Sequence, residues 1–122
     1  MDKEYFINMI HGRVKLDVYR RSVYWFYGEL EDFKKKYKVT LDGDYDYADG
    51  LSFMNGGNSY IFIKQGADIY EVVPHEVLHS VLDIAKFVGI KADFNNQEPL
   101  AYLVGHINCS IFKKLHGEYK QK

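Results

Sequence analysis

Pro74-His75-Glu76-Val77-Leu78-His79 lies inside a long apolar segment whose spacing predicts a helix. Residues four apart on a helix sit about 40° apart around its axis, one turn up. His75 and His79 therefore share a face and can grip one metal ion, while Glu76 leans over the open side. Zinc takes neutral imidazole readily, and a catalytic zinc has three protein ligands with a fourth position left for water. A third ligand is thus expected further along. Glu98 is the candidate, nineteen positions after His79 at the start of a second amphipathic helix. Two antiparallel helices joined by a short loop can bring it beside the histidine pair. The competing reading makes His75 and His79 hydrogen-bonded core groups and Glu98 a favourable acid at a helix N-terminus. Burying two imidazoles and a carboxylate requires partners for several polar atoms and a charge, and one metal supplies them at once. One Zn2+ per chain is the expected cofactor.

Asp68, followed three residues later by Glu71, marks a capping box at the start of this helix, and Gly89 marks its end near Val88. Apolar residues lie nearly all round it, which predicts a central buried helix. Pro74 predicts a kink beside His75 or a helix that begins nearer to it. Upstream, Leu51, Ser52, Phe53 and Met54 and then residues 59–64 flank Asn55-Gly56-Gly57-Asn58, and Asn-Gly between apolar runs is a strong hairpin signal. Downstream, Leu100, Leu103, Val104, Ile107, Ile111, Phe112 and Leu115 form one stripe of a helix over residues 97–115, in which Gly105 would permit close helix contact. Residues 117–122 read as a polar, frayed end.

H-E-x-x-H followed by a helix-borne E-x-x-A, here Glu98-Pro99-Leu100-Ala101, resembles the gluzincin metallopeptidases of the thermolysin type. The strand, Asn-Gly hairpin and second strand before the helix extend the likeness to residues 50–105. Leu82 and Ala85 stand where metzincins need Gly and a third His, so that family is excluded. The resemblance implies zinc-dependent hydrolysis of a peptide or protein substrate, with Glu76 as general base. It also implies that Leu51, Ser52, Phe53 and Met54 form the edge strand along which substrate lies, although Leu51 and Met54 replace the Asn and aromatic residue often found there. Tyr102 stands where that family carries an Asp four residues after the glutamate ligand, and a phenol accepts less strongly. Asp83, one turn beyond His79, is a candidate acceptor for that imidazole, or simply exposed. Tyr102 and His106 are candidates for aiding an oxyanion, with core packing as the alternative.

Before the hairpin, Asp2 is positioned to cap a short helix through Tyr5, Phe6, Met9 and Ile10, with Gly12 as its stop. Alternation through Val14, Leu16 and Val18, then Val23, Trp25 and Tyr27, predicts two strands folded around Arg20-Arg21-Ser22. Leu30, Phe33 and Tyr37 return to helical spacing, with Lys34-Lys35-Lys36 as a solvated face. Asp42-Gly43-Asp44-Tyr45-Asp46 opens like a calcium loop but lacks the Gly at its sixth position and the Glu at its twelfth, so it reads as a solvated acidic loop.

A chain of 122 residues, 47% hydrophobic and 16% aromatic, is expected to form one domain with a real core. Sixteen basic and seventeen acidic residues provide no broad field for nucleic acid or membrane. The single Cys109 excludes an internal disulfide, and no apolar run suits a signal peptide or membrane span, so a soluble cytoplasmic protein is expected. The expected fold class is α+β, a minimal zincin-like fold: a small mixed sheet with a β-hairpin edge, packed on a buried active-site helix and a second C-terminal helix. The alternative to a peptidase is a non-catalytic interaction protein, for instance a phage or mobile-element product, that keeps a structural zinc site. The small size supports that alternative, because specificity pockets usually need extra loops.

Overall fold

Apolar alternation through Ile10, Val14 and Leu16, and again through Val23, Trp25 and Tyr27, builds the first two strands. The computed structural model describes residues 9–120. Strand β1 (Ile10–Leu16) pairs antiparallel with β2 (Arg21–Gly28), with Val14 opposite Val23. Helix α1 (Leu30–Tyr37) and an exposed loop lead to β3 (Gly50–Asn55), which folds back on β4 (Asn58–Lys64). Helix α2 (Ile69–Val88) follows, then a single 3-10 turn (Phe94–Asn96) and helix α3 (Gln97–Lys120). The order across the sheet is β1-β2-β4-β3; β2 and β4 run parallel and the other two pairs antiparallel, so the sheet is mixed and β3 is an edge.

Each sheet face has its own core. On one, Val14, Val23, Trp25, Ile61 and Ile63 meet Val73, Val77, Val81 and Ile84 of α2 and Leu103, Ile107, Ile111 and Leu115 of α3. On the other, Phe26 and Phe62 receive the fully buried Phe33 of α1. Burying such a side chain contributes roughly 1.5–3 kcal/mol. Between β4 and α2, the buried hydroxyls of Ser59 and Ser80 satisfy each other at 2.6 Å. Helices α2 and α3 run antiparallel: Tyr70, at the start of α2, stacks on Phe112 at 5.6 Å and shares a 2.9 Å hydrogen bond with His116, both late in α3.

Several expectations are corrected. The helix proposed from Asp2 lies mostly outside the described residues, but its end does not: Ile10 and Gly12 belong to β1. Gly12 is not a helix stop; a Cβ there would lie 2.8 Å from Trp25 Nε1, so its bareness admits the indole. The β1–β2 connection is centred on Asp17–Tyr19 and Arg20, before the expected Arg20-Arg21-Ser22, because Arg20 takes the left-handed conformation (φ 54°, ψ 40°) and its N–H closes on Asp17 O. Helix α2 runs unbroken from Ile69 through Pro74, and the Asp68 side chain accepts from the N–H of Tyr70 at 3.1 Å. That helix is not buried all round. The sheet and α3 cover only part of it, leaving Leu78, Leu82 and Phe87 exposed. Nothing lies within 4 Å of a Cβ built at Gly105, so that glycine serves no close helix contact. Residues 117–120 continue α3 instead of fraying. Among the described residues, no helix is long and apolar enough to cross a membrane.

Candidate active site

Helix α2 turns residues 73, 77, 81 and 84 into the core, and the 3.6-residue period then decides where the motif residues go. His75 and His79 fall on the solvent side, with ring centroids 4.9 Å apart and planes at 73°. Glu76 falls on the inner side and is only 7% exposed. Its carboxylate lies against the start of β3: a Cβ on Gly50 would come within 2.9 Å of Glu76 Cγ, 3.0 Å of its Oε2 and 2.7 Å of Val72 Cγ1. Asp49, Gly50, Glu71, Val72, His75 and Glu76 line a cleft of about 240 Å3 between helix and edge strand. The single ion pair among the described residues joins Lys34 and Glu31, so Glu76 is held there without a cationic partner. Its oxygens are not among the buried polar atoms without a partner, so the carboxylate opens onto the cleft.

The edge strand meets this cleft at Gly50. The Lys64 N–H donates to Asp49 O at 2.8 Å, which makes Gly50 and Ile63 a non-hydrogen-bonded pair of the antiparallel ladder. Alternation along the strand then directs the backbone groups of Gly50, Ser52 and Met54 away from β4, toward the open edge. Side chains divide the other way: Leu51 and Phe53 pack with the α1-side core, and Met54 packs against the opposite one.

The remaining expected site residues are more dispersed. Glu98 is exposed in the first turn of α3, which the antiparallel arrangement sets toward the C-terminal half of α2. Among the described residues, no three His, Cys, Asp or Glu side chains form a group that could hold a metal ion, so His75 and His79 are brought together and Glu98 is not gathered with them. Asp83 is half-buried one turn beyond His79. Tyr102 is 75% exposed and stacks on His106 with planes 11° apart. Both line a different cleft, about 350 Å3, against Leu16 at the end of β1 and Val18 and Tyr19 of the β1–β2 connection, and neither borders the cleft of His75 and Glu76. Cys109 is an exposed free thiol. Gly50 is the site residue that motif reading missed. Its one signal was a glycine directly before the predicted edge strand, where a backbone often needs close approach.

Comparison with protein-family models, with curated proteins and with solved structures finds no match for this chain.

Proposed function

We propose that this protein is a zinc-dependent peptidase of the gluzincin kind, in which Glu76 acts as general base on a substrate laid along β3. The observation that carries this reading is Glu76, 7% exposed and without a cationic partner among the described residues, seated under Gly50 where an open strand edge begins, in a cleft that His75 also lines and with His79 one turn further on the same helix. A structural carboxylate would be expected to have a cation or several donors; one that faces a cleft lined also by His75 is placed to take a proton from a bound water.

The donor set fits zinc in kind: two imidazoles at i and i+4, open to solvent on one side of a helix. His75 and His79 would hold the ion, and Glu98, which is not gathered with them, would become the third ligand only by a shift of the first turn of α3 toward the pair. When bound, zinc supplies the Lewis acidity that makes water nucleophilic near neutral pH. Glu76 takes the proton from the attacking water at a carboxylate oxygen and returns it to the leaving amine. The open edge of β3 aligns an extended peptide by backbone pairing, which positions the scissile carbonyl while imposing little side-chain preference.

The second reading, a non-catalytic interaction protein, draws on one feature: Leu78 and Leu82, 51% and 38% exposed, flank His79 and offer apolar surface to a partner. A single set of variants separates the readings. His75→Ala, His79→Ala and Glu98→Ala should each reduce the bound zinc measured by elemental analysis. Glu76→Gln should retain zinc yet lose at least ~100-fold in peptide hydrolysis. Zinc loading unchanged in Glu98→Ala removes that residue as ligand, and a wild-type protein inert toward peptide libraries favours the interaction protein.

A further inference from the structure

The β1–β2 connection concentrates charge that the peptidase reading does not use. Residues 13–21 carry Arg13, Lys15, Arg20 and Arg21 against the single acid Asp17, in a chain whose formal net charge is -1. All five border one cleft of about 380 Å3, with Ser22 and Asn58 completing it. Among the described residues, none of these four cations is paired with a carboxylate.

The polar groups there are left as donors. Arg13 Nε donates to Ser22 Oγ at 2.9 Å, so the Ser22 hydroxyl proton is free to seek another acceptor. Asn58 commits its side-chain oxygen to the Ser22 N–H at 2.9 Å, which leaves its amide NH2 to donate. Arg21 Nε is buried without a hydrogen-bond partner, and its guanidinium is held 4.7 Å over the Phe87 ring. Arg13 is held in the same way, 5.5 Å over Tyr24. Stacking of this kind fixes a guanidinium before a ligand arrives, so less rotamer entropy is lost on binding.

We propose that this cleft is a binding site for a phosphate group, free or as a small phosphate ester. Four cations and two neutral donors against one carboxylate suit a dianionic tetrahedral oxyanion better than a monoanionic carboxylate. Sixteen basic against seventeen acidic residues leave the chain without a broad positive field, which favours a discrete group over a nucleic-acid backbone. The site is independent of the metal and of catalysis.

The test is a nuclear magnetic resonance titration of the metal-free full chain at low ionic strength. Inorganic phosphate and glycerol phosphate are the probes, with acetate and a DNA duplex as comparisons. Saturable shifts at the Arg20, Ser22 and Asn58 amides support the site, and the tighter of the two phosphates distinguishes free anion from ester. Arg13→Gln and Arg20→Gln alter exposed side chains and should each weaken phosphate binding by about tenfold. Non-saturating shifts, shifts mapping elsewhere, acetate binding as tightly as phosphate, binding unchanged in both variants, or binding of the duplex alone would each overturn the proposal.

Discussion

At Gly50 the decisive feature is the space that a Cβ would take. The strand can approach α2 closely enough to cover Glu76 because no side chain intervenes, and the same missing atom leaves the carboxylate its place in the cleft. Gly50→Ala would force contacts of 2.7 Å to Val72 Cγ1 and 2.9 Å to Glu76 Cγ. Overpacking of this kind costs about 1–3 kcal/mol. The variant should therefore melt earlier and hydrolyse peptide more slowly while binding zinc as the parent does. Gly105→Ala is the control: nothing lies within 4 Å of its Cβ, and replacing a helical glycine stabilises by roughly 0.5–1 kcal/mol. Equal melting temperatures for Gly50→Ala and the parent would mean that strand and helix do not meet this closely. Gly12 reads in sequence like a glycine that ends an element, and Gly50 carries only its place before a strand, because the reason for each is a ring or carboxylate elsewhere in the chain. His75, Glu76 and His79 were legible for the opposite reason, since their relation is set within one helical turn.

The open edge of β3 is an element-scale property, fixed by ladder alternation and by its position at the end of the sheet. Ser52 lies opposite Ile61 in a non-hydrogen-bonded pair, so its N–H points outward and proline there breaks no bond to β4. Ser52→Pro should fold and retain zinc, but it should raise KM or abolish peptide cleavage; unchanged kinetics would show that substrate does not add to this strand. This hairpin was readable from Asn-Gly between apolar runs. The solvent-facing side of α2 was not, because Leu78 and Leu82 are as apolar as the residues that face the sheet, and only the placement of α3 decides which are covered. Helix α1 offers a separate check on its own docking. Tyr37 stacks edge-on to Phe33 and Phe26, and its hydroxyl donates to Trp25 O at 3.2 Å. Burial, with Tyr60 and Tyr24 beside it, raises its phenol from 10.0 to about 12. The native state thus keeps a proton that the unfolded chain releases above pH 10, so this contribution to stability is intact below pH 10 and is lost as pH rises toward about 12. The melting temperature should fall across that window, and Tyr37→Phe should flatten the fall.

For the molecule as a whole, the larger core and the motif occupy different faces of one helix, α2, while the second core lies across the sheet from it. Neither hydrophobic cluster includes His75 or His79, and both imidazoles lie at the surface, so packing is expected to hold the fold whether or not metal is bound. Small metal-dependent domains, by contrast, unfold when their zinc is removed because they lack a core of their own. Spacing alone did not place Glu98 for a tertiary reason: it sits on the first turn of α3, and its distance from the histidines depends on how the antiparallel helices slide past each other. Zinc binding to the native state should still add to stability by mass action, about 2.7 kcal/mol at a hundredfold excess over Kd. For a domain of this size that corresponds to a rise in Tm on the order of 10 °C. A chelator should therefore lower the Tm of the zinc-loaded protein by a similar amount while leaving a cooperative transition and a native far-ultraviolet spectrum. The double variant His75→Ala, His79→Ala should melt at the chelated temperature with or without chelator. An unchanged Tm in the parent would mean that no zinc is held, whereas complete unfolding on chelation would mean that the metal, and not the two cores, holds the fold together.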